Sequence, residues 1–302
     1  MSRPEPVVPR PAATVMVVRD GEGAGALEVL MVRRNLRSDF VGGAYVFPGG
    51  AVDRADAGRE AEAVCTGRTD AEASTVLGVP SGGLAYWVAV LRECFEEAGV
   101  LLATTARGEP LSFDDPEDAQ RFVMYRDAVN EGRRRFLDVC HDEGLRLPVG
   151  QVHYFAHWVT PEGAPRRYDT RFFVARAPRG QRPVHDAGET IATEWLAPAE
   201  ALRRHREGQI ELIFPTIRNL QAIGRFEDAT SLLDAAAAAS GSVPTVEPRV
   251  VHDGGAGMRI VLPGDEGYEQ AERARAPADP ATFNEAVRAV SHGANPDPAG
   301  GE

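Results

Sequence analysis

Glu93, Glu96 and Glu97 crowd into the short stretch RECFEEAGV, Arg92 to Val100. On a helix, residues three and four apart are neighbours, and like charges there repel by about 0.2–0.5 kcal/mol per pair. Either water screens them or a cation sits among them. At 100° per residue, Leu84, Trp87, Leu91, Cys94, Phe95 and Ala98 gather on one side and the glutamates on nearly the opposite one. One reading is an amphipathic helix with a solvated acidic face. The other is a cradle for a hard cation, because Mg²⁺-like ions prefer carboxylate oxygens and keep waters and phosphates as further ligands. Two features favour the cation. The acids lie near the helix C-terminus, where the macrodipole disfavours negative charge by about 0.3–1 kcal/mol. Upstream, VFPGGAVD offers a glycine turn beside Asp53 and Asp56, and glycines let backbone approach another group closely.

The elements that must position these residues can be read from patterning. AATVMVVRD and LEVLMVRR are apolar strands joined by the turn GEGAGA. GGAYVFPGGAVD is a strand running into a tight turn. SGGLAYWVAVLRECFEEAGV is a strong helix with Gly99 as its stop. A second long helical region starts at Asp114 or Asp115, before Pro116. VHYFAHWVT and YDTRFFVARA are strands, TEWLAPAEALRRHREG is strand then helix, and IFPTIRNLQAIG begins a helix near Pro215. The core domain is expected over 10–230, with helical insertions at about 57–83 and 112–147. These would cap one end of the site or build a homodimer contact. A C-terminal extension, 231–302, is expected to hold a short β-element and a mobile tail.

Composition narrows the class. The chain has 302 residues and a net charge of -12, which argues against nucleic acid or an anionic membrane surface as the partner. All 33 basic residues are arginine, which rules out lysine chemistry. Cys65, Cys94 and Cys140 form no CxxC, which argues against a zinc site or disulfide frame. The proline-broken N-terminus lacks the apolar run of a signal peptide, and no apolar stretch approaches bilayer length. The expected location is cytoplasmic.

Together, the glycine turn, its acids and RECFEEAGV resemble the Nudix box. Gly50 opens the pattern, and Arg92 to Val100 match every fixed position of its second half. In the first half, Asp56 stands where the family has Glu, and 35 residues separate Asp56 from Arg92 where the pattern has seven. A loop lengthened at its tip costs little closure entropy, since the cost grows logarithmically. Such an interrupted box resembles the coenzyme A and acyl-CoA diphosphatases. Further segments extend the likeness from about residue 14 to 225: Gly43 with Phe47 to Gly50, and HWVTPEGAPRRYDTRFF with Trp158.

The resemblance implies an α/β fold, the Nudix α/β/α sandwich with a mixed β-sheet. It also implies Mg²⁺ or Mn²⁺ held by Glu93, Glu96 and Glu97, with Arg92 orienting a neighbouring carboxylate. The general base would be Glu93 or Glu189; for Glu189 a solvated loop position is the alternative. The substrate would be a small nucleoside diphosphate derivative of the CoA type, cleaved to 3′,5′-ADP and 4′-phosphopantetheine or its acyl form. Its binding residues would be Gly49 and Gly50, Tyr168 against the adenine, and arginines from among Arg33, Arg34, Arg166, Arg167 and Arg171. Strand alternation places Tyr168, Thr170 and Phe172 on one face and Asp169, Arg171 and Phe173 on the other. A pyrophosphatase for ADP-ribose, NADH or nucleotide sugars is the enzymatic alternative. A non-catalytic nucleotide-binding module is the alternative of another class.

Overall fold

The structure is a computed structural model. It describes residues 7–21, 26–38, 41–162, 164–186, 188–239, 241–252 and 258–269, with 271, 287 and 291. In chain order the elements are β1 (Arg10–Asp20), β2 (Leu27–Arg34), β3 (Tyr45–Val46), β4 (Gly49–Ala51), α1 (Arg59–Val64), α2 (Asp70–Leu77), α3 (Leu84–Ala98), α4 (Pro116–Asn130) and α5 (Phe136–Asp142). There follow β5 (His153–Val159), β6 (Tyr168–Arg176), β7 (Thr190–Leu196), α6 (Pro198–Arg206), α7 (Phe214–Ile223), α8 (Ala229–Ala239), β8 (Thr245–Val246), β9 (Arg249–His252) and β10 (Met258–Val261).

The main sheet runs β3-β2-β1-β6-β5-β8, with β4 also pairing β1 and β7 also pairing β2. It is mixed, because β1 with β6 and β5 with β8 are parallel while the remaining pairs are antiparallel. The period of two along β1 divides the interior. Ala13, Val15 and Val17 pack with Trp87, Leu91 and Phe95 of α3, whereas Met16 and Val18 pack with Ile217 and Leu220 of α7 and Leu232 of α8. Helices therefore cover both faces, which is the expected α/β/α sandwich.

The helix α3 is buried almost all round, because the helices of both insertions wrap it. The first insertion anchors its start. The Asp70 carboxylate accepts from Gly82 N at 3.0 Å and Leu84 N at 2.9 Å, and Ser74 Oγ accepts from Gly83 N at 3.0 Å. Gly83 itself has no side chain to cap the helix, so its neighbour in space supplies the acceptors. The second insertion anchors the other end. Gly99 closes α3 in the left-handed region, φ 66°, while Arg126 Nε and Asn130 Nδ2 of α4 donate to the exposed Glu96 carbonyl at 2.9 and 3.3 Å. The cation that the acidic helix end lacks in sequence is thus brought to it from elsewhere in the chain.

The second helical region consists of two helices: α4 starts after its cap Asp115 and is separated from α5 at Gly132, φ 67°. Among the described residues, neither insertion lines the cavity described below, and helices of both pack against α3. The pair β9–β10 is the short β-element expected in the extension. The mobile tail expected there lies almost wholly outside the described residues, as does the centre of the turn GEGAGA. No helix among the described residues is long and apolar enough to cross a membrane.

A methyl group on Gly83 would meet Ser74 N at 2.3 Å and Ala73 C at 2.5 Å, both backbone atoms. Gly83→Ala is therefore expected to cost about 1–3 kcal/mol by forcing α2 away from α3, measured as a lower urea midpoint with an unchanged slope.

Candidate active site

Arg92 is the hub of the carboxylate cluster. Its Nε and Nη2 donate to Asp56 at 2.8 and 3.0 Å, a two-pronged fork. Its Nη1 donates to Glu93 at 2.8 Å and Glu96 at 3.1 Å, and Nη2 also donates to the Ala51 carbonyl at 2.9 Å. Asp56, buried in a 3-10 turn and fixed by its bond from Asp53 N at 2.8 Å, is thus the counterion of Arg92. The guanidinium is buried, which works against its charge, but the Asp56 hydrogen bonds and the charges of Glu93, Asp56 and Glu96 raise its pKa.

The glycine turn closes over the same helix. Gly49 N donates to Glu97 at 3.0 Å. A side chain on Gly49 would collide with Ala13 O and Thr14 Oγ1 at 2.5 Å, and one on Gly50 would strike the Glu93 carboxylate oxygens at 2.6 and 2.8 Å. These glycines are required for the close approach, whatever their conformational freedom.

The acidic face is not solvated: Glu93 is 8% and Glu97 7% exposed. Burial pushes the Glu93 carboxyl up to about 7 despite Arg92, helped by Glu96 and Glu189. Glu96 is also raised, first by burial, and Glu97 is raised well above its ordinary value by burial and then by Glu93. Glu189 adds to the rise of all three, so it belongs to the cluster although it precedes β7. Its place is set by Asp186, which accepts from Glu189 N at 2.9 Å and Thr190 N at 2.8 Å, and by Thr190 Oγ1, which donates to the Glu97 carbonyl at 3.0 Å.

Beside the cluster lies a cavity of about 390 Å³. Glu97, Glu189, Arg34, Gly49 and Gly50 contribute to its polar end, and Phe47, Trp158, Phe172 and Phe214 to its apolar lining. Tyr168 and Thr170 also line it, so the sheet face carrying Tyr168 is the cavity face. Arg34 Nε is buried there without a hydrogen-bond partner. Arg10, which sequence reasoning passed over, lines the cavity too.

Other expected binding residues stand elsewhere. The β2–β7 register shifts between Arg33 and Arg34, and Arg33 donates to the Gly43 carbonyl at 3.3 Å and lies over the Tyr45 ring. Arg171 faces the α3 side, where it pairs with Asp169 at 2.6 Å. Arg167 is spent on the Thr160 and Val7 carbonyls, at 2.9 and 3.1 Å, and on Glu247 at 2.7 Å. The structure does not bring these three arginines to the cavity.

The family model described as the NUDT19 Nudix domain matches residues 66–223, more than half of the chain. The chain belongs to the Nudix family. Its match lies beyond the glycine turn and includes the whole second half of the Nudix box. This Nudix chain is similar to the acyl-coenzyme A diphosphatase NUDT19 of Homo sapiens, 27% identical over 239 residues, covering 69% of this chain and 64% of that protein. The protein of the same name from Gallus gallus is 28% identical over 241 residues, with 68% and 63% covered. The chain thus spans somewhat under two thirds of the length of these relatives. Among solved structures, a NUDIX hydrolase from Alicyclobacillus acidocaldarius aligns with TM-score 0.59 and 28% identity over 75% of this chain and 96% of that one.

Removing Arg92 leaves buried carboxylates without their counterion, which typically costs about 3–5 kcal/mol. The raised Glu93 carboxyl adds a pH dependence of known sign. Its stabilising protonation is complete below the unfolded value of 4.5 and is lost as pH rises through about 7. Arg92→Met should therefore unfold at lower temperature than the parent, with a wider gap at pH 8 than at pH 5.5, measured by calorimetry.

Proposed function

We propose that the chain is a divalent-metal-dependent hydrolase of the diphosphate in CoA or acyl-CoA, releasing 3′,5′-ADP and 4′-phosphopantetheine or its acyl form. The observation that carries this reading is the meeting of Glu93, Glu96, Glu97 and Glu189 beside a mostly apolar cavity with an unpartnered arginine nitrogen. The relatives named acyl-coenzyme A diphosphatase support the choice of substrate.

Among the described residues, no group of three or more His, Cys, Asp or Glu side chains is already drawn together around one ion position. Arg92 engages Glu93 and Glu96, and Gly49 N engages Glu97. The residues nonetheless fit Mg²⁺ or Mn²⁺: they are hard oxygen donors, buried, and destabilised by one another's charge. Glu93, Glu96 and Glu97 would hold the ion. When bound, a divalent cation neutralises phosphate charge and increases the acidity of water.

The protein's own contribution is positioning and proton transfer. Arg92, locked by Asp56, keeps the Glu93 and Glu96 side chains at the glycine turn. Gly49 and Gly50 let the turn close onto Glu93 and Glu97 at the polar end of the cavity, where the diphosphate would lie and Arg34 would meet its negative oxygens. Water oxygen adds to a phosphorus as the bridging P–O bond breaks, and the water proton passes to Glu189. Glu189 is preferred to Glu93 as the base because it lines the cavity, while Glu93 is held by Arg92. Tyr168 lines the cavity and would stack on the adenine. Free Cys65, Cys94 and Cys140 are consistent with a cytoplasmic setting.

The full chain, incubated with Mg²⁺ or Mn²⁺ and a pool of CoA, acyl-CoAs, NADH, ADP-ribose and nucleotide sugars, should release 3′,5′-ADP first. Mass spectrometry reads the products, and Glu97→Gln should abolish them. AMP from another donor as the leading product would overturn the substrate assignment. Glu189→Gln should lower kcat by about 10²–10⁴-fold with the melting temperature maintained. Because protons compete with the ion for the raised carboxylates, either metal should increase the melting temperature more at pH 8 than at pH 6. Equal shifts at both pH values would count against these ligands.

A further inference from the structure

One row of cross-strand partners spans the cavity face of the sheet: Ala51, Ala12, Thr170, Trp158 and Val246, on β4, β1, β6, β5 and β8. Four strand spacings of about 4.8 Å make the row roughly 19 Å long. The Glu97 carboxylate is tied to β4 at Gly49, so the acidic cluster marks one end of the row. The other end belongs to the C-terminal extension, where Pro248 is buried and both Pro248 and Ile260 line the cavity. These residues lie outside the family match of 66–223.

Two polar connections hold the extension against the sheet. Arg167, only 7% exposed, bonds Glu247 at 2.7 Å while its Nε and Nη1 are fixed by carbonyls. Thr245 Oγ1 lies 2.8 Å from His157 Nδ1, and His157 Nε2 lies 2.6 Å from Asp169. Arg167 directly precedes β6, and its guanidinium is taken up by Glu247 and the two carbonyls while Tyr168 lines the cavity. That is why a residue expected to bind phosphate serves as an anchor.

We propose that this extension is the specificity wall of the site, with Pro248 and Ile260 receiving the apolar arm of the substrate, its acyl or alkyl chain, and Arg167–Glu247 as the latch that positions them. The proposal deepens the CoA-type reading and rests on it for the substrate's other end. Chemistry at the acidic end then proceeds on any CoA thioester, while the wall, about 19 Å away by the strand count, decides which chain lengths are held. Arg167 and Glu247 are positioning residues and touch no reacting atom.

The test is isothermal titration of the full chain, in EDTA to prevent turnover, with S-methyl-CoA, S-octyl-CoA and S-octylpantetheine. Burial of part of the octyl chain should tighten S-octyl-CoA over S-methyl-CoA by about tenfold or more. Ile260→Asp and, separately, Glu247→Ala should reduce that advantage to about threefold or less while S-methyl-CoA stays within about twofold of the parent. Glu247→Ala leaves the cavity lining itself intact, so it reads the latch even if Ile260→Asp fails to fold. No octyl advantage in the parent, or equal losses for both CoA ligands in the variants, overturns the wall. If S-octylpantetheine binds and weakens in the variants while neither CoA ligand binds and no CoA is turned over with metal, the wall stands and the CoA reading falls. If no ligand binds, the wall is overturned.

Discussion

Like charge cannot be concentrated and buried without a counterion, and in this fold the counterion is Arg92. The turn carrying Asp53 and Asp56, the β4 backbone at Ala51, and Glu93 and Glu96 on α3 all converge on one guanidinium. The planar fork satisfies several acceptors at once, which a lysine point charge could not do. Without it the glycine turn and the helix would present unpaired carboxylates to one another.

This constraint explains the insertions. A helix carrying its acids at the C-terminal end opposes its own dipole. Here α3 is compensated from outside, by Asp70 at its start and by Arg126 and Asn130 at its end. The long interruption between Asp56 and Arg92 therefore changes the support of α3 without separating the two residues in space. They are still bonded at 2.8 Å, which shows why a lengthened loop can leave the site intact.

The site is asymmetric in character. At one end burial, and after it the carboxylates' mutual charge, raises the pKa values of Glu93, Glu96 and Glu97. Towards the other the walls are aromatic and aliphatic, and they include residues from the C-terminal extension. This asymmetry supports the proposed ligand, a diphosphate with an apolar arm, because an unpaired polar group in the apolar part would lose its hydration without replacement.

The sequence by itself determined the acidic helix, its glycine stop, the glycine turn, the family motif and the alternation of Tyr168 with Arg171, since each is a local pattern of spacing or backbone permissiveness. It also placed Glu93, Glu96, Glu97 and Arg92 in one group. What it left open were matters of partner and face. Periodicity states that Tyr168 and Arg171 point oppositely, but only the strand order and the packing of α3 decide which side is the cavity. An arginine-only chain offers many phosphate receptors of equal merit on paper. Tertiary contacts assign Arg34 to the cavity, Arg167 to the extension, Arg126 to the helix end and Arg33 to Tyr45. The Arg167–Glu247 contact joins residues 80 positions apart, a distance over which no local pattern carries information.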